Sequence, residues 1–210
     1  MTKTRTEAFS DGVIAILITI MVLELHVPEG TGWEALRPTI PVLMKYVLSY
    51  VFLGIYWNNH HHLFHLVKHV TGGMLWANLH LLFWLSLVPF VTSWMAQNPA
   101  DPLATAVYGA VLLAAAIAWT ILQSLIIREQ GPESPLADAV GNDLKGWTSA
   151  ALYVVAIPLA FVHRWIADAI YVFVALMWLV PDRRIEAKVK QTDHATSGSR
   201  TARSPASRAD

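Results

Sequence analysis

The chain has 210 residues, 55% of them hydrophobic and 14% charged, with a mean hydropathy of +0.44. So little charge cannot cover a soluble domain of this size, and the balance of 15 basic and 15 acidic residues argues against a nucleic-acid partner. Without any cysteine, disulfides, thiolate metal sites and cysteine nucleophiles are all excluded.

Several apolar runs near twenty residues long predict an all-α, multi-pass membrane protein with six transmembrane helices. The first runs from about Phe9 to Val27 and stops at Pro28-Glu29-Gly30. No small-residue cleavage site follows this run, so it is read as a retained span and not a signal peptide. The second covers roughly Val42 to Leu66, entered after Pro38 and Pro41. The third, Met74 to Ala96, contains Pro89 and ends at Asn98-Pro99-Ala100-Asp101-Pro102. The fourth spans Leu103 to Ile127, and a polar stretch from Arg128 to Lys145 follows it. The fifth and sixth, Trp147 to Val162 and Ile166 to Val180, are separated only by His163-Arg164-Trp165 and predict a tight hairpin. The chain is thus divided into a six-helix domain, 1–184, and a polar tail, 185–210, whose Ser, Thr, Ala and Arg lack periodicity and are expected to be disordered.

With the N-terminus inside, twelve of the 15 basic residues fall on the cytoplasmic side and only Arg37, Lys45 and Arg164 outside. This bias predicts an N-in, C-in topology.

The first span, FSDGVIAILITIMVLEL, carries polar groups where apolar ones are the rule, and such groups at membrane depth are usually functional. On a helical wheel Ile16, Ile20, Leu23 and Val27 form one stripe, flanked by Thr19 and Glu24, with Asp11 on the opposite face. The stripe fits ordinary lipid-facing or core packing, and it equally fits a hydrophobic constriction that gates ions by dewetting. Glu24 is either a solvated carboxylate at headgroup level or, repeated around an axis, an outer acidic ring. Ser10 and Asp11 suit helix capping and the helix dipole, or an inter-helix polar network with Asp11 as acceptor.

The second span contains Asn58-Asn59-His60-His61-His62 and His65, and the third contains Asn78 and His80. His61 and His65 share a face at zinc-compatible spacing, but one cluster plus a lone His80, without a carboxylate-rich partner, supplies too few ligands for a histidine-box oxygenase. Metal catalysis is not expected. Hydrogen bonding between helices, with an imidazole of this cluster donating to Asp11 or accepting from Asn78, is the expected role. The nine tryptophans suit interfacial belts. No Gly-rich nucleotide loop, nucleophile elbow, H-E-x-x-H or T-V-G-Y-G filter occurs, and Val107-Tyr108-Gly109-Ala110 lies inside an apolar helix.

Arg5-x-x-x-Phe9-Ser10-Asp11, followed by Gly12-Val13-Ile14-Ala15-Ile16 and Thr19, resembles the signature that opens the first helix of the transmembrane protein 175 family. The second-span W-x-x-H-H, the third-span L-W-x-N and the later L-x-P-F are similar to it as well. The resemblance covers the first three spans. It implies a homotetramer of six-helix subunits in the bacterial inner membrane, with the first helices lining a central pore permeable to potassium and other monovalent cations. The permeant ion takes the place of a cofactor, and no enzymatic activity is implied. Carried over residue by residue, the constriction falls on Ile16, Ile20 and Leu23, with Thr19 as a hydroxyl layer. Arg5, Ser10 and Asp11 would pack around the inner end of the helix, near His61 and Asn78. The rival expectation is a proton-coupled transporter relaying through Asp11, His61 and His80. Such carriers favour discontinuous helices, of which only Pro89 and Pro158 give a sign.

Overall fold

The computed structural model describes residues 2–179 other than 132 and 142. Among these the secondary structure is helical throughout, and five stretches are long and apolar enough to cross a membrane. The predicted tail, 185–210, lies outside the described residues, as do Val180 and the closing Pro181-Asp182-Arg183-Arg184 of the sixth span.

Helix α1, Lys3–Ile20, tightens into a 3₁₀ turn over Met21–Glu24 and then becomes extended at Leu25. The helix therefore ends earlier than Val27. Pro28 disfavours helical geometry at the residue before it, so Val27 lies beyond the last turn, and Leu23 and Glu24 sit on the tighter turn. A short helix α2, Gly32–Leu36, and a turn at Arg37–Thr39 lead into α3, Ile40–His65.

The predicted third span is two helices, α4, Gly72–Ser86, and α5, Val88–Gln97, meeting at Leu87. Pro89 explains the break, because it has no N–H to donate and its ring clashes with the carbonyl four residues earlier. Thr71 caps α4 by accepting from the Met74 amide. Helix α6, Pro102–Gln130, is uninterrupted; Asp101 caps it and Gly131, at φ 90°, ends it. Its Gly109 allows a close approach, since a Cβ there would overlap the Tyr171 ring.

After the short α7, Pro135–Val140, the fifth and sixth predicted spans form one helical element, α8, Leu144–Leu179. Its single non-helical residue is His163, at φ −156° and ψ 89°. Residues 149 and 178 would be about 43 Å apart along a straight helix. Instead Trp178 Nε1 donates to Ser149 Oγ at 2.8 Å, and the Tyr153 and Tyr171 rings lie 6.2 Å apart. The chain reverses at His163, and the two limbs run antiparallel.

The remaining contacts fix the order of the ends. Lys3 reaches the carbonyl of His65, and Gln123 on α6 reaches Asp143 before α8. At the opposite end Ser93 reaches Glu24, and Lys45 pairs with Asp168 just past the reversal. Helices α3 and α6 run parallel, with Ser49 level with Tyr108 and Tyr56 level with Trp119. Helix α8 packs chiefly on α6 and α3, whereas α1 packs on α3, α4 and α5.

Candidate functional site

Helix α1 has one covered and one uncovered face. Thr6, Ser10, Ile14, Leu17 and Met21, spaced three or four apart, are buried against the neighbouring helices. Ile16, Ile20 and Leu23 are instead 56%, 41% and 77% exposed in the single chain. Thr19, also exposed, donates its hydroxyl hydrogen to the Ile16 carbonyl at 2.9 Å. That leaves the oxygen lone pairs directed away from the backbone.

At the end of this face Glu24 Oε2 accepts from Ser93 Oγ at 2.8 Å, and Ser93 in turn accepts from Gln97 Nε2 at 2.8 Å. Pro89 starts α5 in the register that presents Ser93 and Gln97, one turn apart, to Glu24. Behind the carboxylate lies a cavity of about 160 Å³ bounded by Met21, His26, Tyr46 and Thr92, among others.

A buried polar chain ties the N-terminal half of α1 to α4 and α3. Ser10 Oγ donates to the Thr6 carbonyl at 3.0 Å and accepts from Asn78 Nδ2 at 2.8 Å. Asn78 Oδ1 accepts from His60 Nε2 at 2.8 Å. Because that oxygen can only accept, the Nε2 nitrogen of His60 carries a hydrogen. The His60 ring stacks on Phe64, with centroids 4.4 Å apart.

The histidine in this chain is therefore His60, not the expected His61. His61 is turned about 100° away on the helix and meets Glu7 of α1, with Nδ1 3.1 Å from Oε1. The signal was present in the sequence: Ser49, Phe52, Leu53, His60, Leu63 and Phe64 form the buried stripe of α3, and His61 lies off it. Asp11 is not hydrogen-bonded to Ser10, Asn78 or His60 in any bond among the described residues, and its Oδ1 is buried without a partner. Arg5 is exposed. His80 is exposed and accepts from Trp84 one turn along α4, so no hydrogen bond among the described residues joins Asp11, His61 and His80 into a relay.

A second buried polar group went unnoticed in the sequence. Thr92 of α5 donates its one hydroxyl hydrogen to the Val88 carbonyl at 2.6 Å and accepts from Ser49 of α3 at 2.7 Å, and Ser49 bonds the Tyr108 hydroxyl of α6 at 2.9 Å. Single hydroxyls scattered over three apolar spans give no pattern that marks them. No group of three His, Asp or Glu side chains is placed to hold a metal ion among the described residues.

Long apolar helices, buried polar side chains hydrogen-bonded from one helix to the next, and one uncovered face on the first helix define a multi-pass membrane protein. Residues 5–89, which contain most of α1, the Ser10–Asn78–His60 chain and the start of α5, match the family model described as the endosomal/lysosomal potassium channel TMEM175. The chain belongs to the TMEM175 family. It is 53% identical over 196 residues to a potassium channel of Chryseobacterium sp. (strain P1-3), covering 91% of this chain and all of that one. It is 37% identical over 143 residues to a potassium channel of Streptomyces collinus, covering 64% of this chain and 69% of that one. Among solved structures it is similar to a lysosomal potassium-selective channel TMEM175 homolog from Chamaesiphon minutus. That match has a TM-score of 0.73 and 27% identity, and it covers 86% of this chain and 97% of the other.

Proposed function

We propose that this protein is a passive, potassium-permeable cation channel, and that α1 of each of four identical subunits lines its pore. The observation that carries the reading is the asymmetry of α1. Its Ser10–Ile14–Leu17–Met21 face is buried within the subunit, and its Ile16–Ile20–Leu23 face is left uncovered. A pore-lining helix must show both faces, one fixed to its own subunit and one free. The relatives named potassium channels, one of them matched over its full length, support the same reading.

In this account Ile16, Ile20 and Leu23 narrow the path, and a cation sheds or distorts part of its water shell to pass. Potassium holds its water less tightly than sodium, so a narrow, weakly polar neck favours it modestly. Thr19 lies between the two isoleucines, and its lone pairs replace some of the lost water. Four Glu24 carboxylates, held by Ser93, concentrate cations at the outer mouth. The reversal at His163 makes two limbs of α8 and six crossings in all, with both termini on the cytoplasmic side of a bacterial inner membrane. The chain Ser10–Asn78–His60 anchors the back of α1 so that the opposite face keeps its orientation. The test is potassium flux from liposomes holding the purified protein, wild type beside Ile16→Asn. Flux that is potassium-driven and passive supports the channel; flux obligatorily coupled to protons overturns it.

A further inference from the structure

On the side of the bundle away from α1, a groove of about 450 Å³ runs between α6 and the first limb of α8. One wall is a single stripe of α6, Ile117, Thr120, Ile121, Ser124, Leu125 and Arg128, spaced one and three residues alternately so that all face the same way. The other wall is Gly146, Trp147 and Ala150 of α8. From Ala116 to Arg128 the α6 wall rises about 18 Å, close to the depth of one leaflet of a hydrocarbon core of about 30 Å. Thr120 donates its hydroxyl to the Ala116 carbonyl at 3.0 Å, so the middle of the wall behaves as apolar. Asp143, at the end of the groove, is engaged as a cap, accepting from the Gly146 amide at 3.1 Å and from Gln123 at 3.4 Å. Arg128 is exposed and forms no ion pair among the described residues, and Trp147 beside it is 72% exposed.

We infer that this groove binds an anionic glycerophospholipid of the adjacent leaflet, its acyl chain along the α6 stripe and its phosphodiester on the Arg128 guanidinium. A fatty slot of one-leaflet depth that ends in an exposed guanidinium and an indole matches such a molecule in shape and charge. Arginine holds phosphate oxygens in bidentate fashion, indoles settle at headgroup level, and basic pockets between membrane helices recognise lipid headgroups. Ser124, one turn before Arg128, supplies a further O–H donor. The groove lies on the face opposite the proposed pore wall, and the inference does not depend on what that wall conducts.

The test is native mass spectrometry of the full chain, purified and equilibrated with equimolar phosphatidylglycerol and phosphatidylcholine. The wild type is expected to retain phosphatidylglycerol several-fold over phosphatidylcholine. Arg128→Gln should abolish that preference, and Ile121→Trp, which fills the slot, should reduce retention of both. Arg164→Gln, at the reversal of α8 where Arg164 lies over Trp165, should change nothing. Arg128 is exposed at the end of α6, so its variant carries the test even if Ile121→Trp does not fold. Equal retention of the two lipids by the wild type, or a preference that survives Arg128→Gln, overturns the inference.

Discussion

Asn78 bridges two helices from a third: its amide nitrogen donates to Ser10 of α1 while its oxygen accepts from His60 of α3, both at 2.8 Å. All three side chains are at most 1% exposed. Removing one member strands its partner in an apolar interior, at a cost of about 1–3 kcal/mol for an unsatisfied buried group, or nearer 1 kcal/mol when the unfolded reference is still in lipid. His60→Leu is therefore expected to lower the thermal stability of the purified protein clearly, and His61→Leu only slightly. Melting in detergent checks the ordering, and the reverse order would move the network back to His61.

Ile16 is the position where widening the proposed neck should act most directly. Ile16→Asn adds a polar amide to a 56% exposed site, so folding should tolerate it while the path becomes wetter. The potassium-to-sodium permeability ratio, read from reversal potentials under bi-ionic conditions, is expected to fall toward one.

Thr19→Val keeps the shape and deletes the hydroxyl oxygen. If that oxygen stands in for lost water, the barrier rises by about 1 kcal/mol and conductance drops about fivefold. The hydroxyl also bonds the Ile16 carbonyl, so circular dichroism should accompany the recording and show unchanged helicity.

Glu24→Gln tests the outer ring through its salt dependence. Unit conductance should fall in dilute potassium, where the screening length is about 30 Å at 0.01 M, and approach the wild-type value near 1 M, where it is about 3 Å. Ser93→Ala, which frees the carboxylate from its donor, should produce a smaller change of the same sign.

Gly109→Ala probes the packing that closes the α8 hairpin. The added Cβ would overlap the Tyr171 hydroxyl, which donates to the Thr105 carbonyl at 3.1 Å. Overpacking of this kind costs about 1–3 kcal/mol. Tyr171→Phe in the same chain should recover part of the loss, and a double-mutant cycle on melting temperature measures how much.

The helical architecture was legible because bilayer thickness imposes a length on each apolar run, and the α3, α6 and α8 bounds agree with the predicted spans to within a few residues. Pro28 and Pro89 were visible, yet the end of α1 before Leu25 and the split of the third span at Leu87 were not, because both depend on local backbone geometry. The inward partner of Asn78 was misread because three consecutive histidines point 100° apart, and only the burial stripe of the whole helix decides which one faces in. The Glu24–Ser93–Gln97 contact joins residues 69 apart in sequence, and no local pattern announces it. The wheel groups Ile16, Ile20, Leu23 and Val27 on one stripe, and all four are exposed in the single chain although the helix changes pitch after Ile20.

Because the chain contains no cysteine, single cysteines report accessibility without background. The decisive measurement is the response of open channels in a bilayer to a small, charged thiol reagent at Ile16→Cys and Ile20→Cys, with Leu17→Cys as the buried control. Rapid, complete loss of current at the two isoleucine positions and none at Leu17 is the expected result. Currents untouched at both isoleucine positions, with reaction only from lipid-soluble reagents, would mean that this face of α1 meets the bilayer and not water.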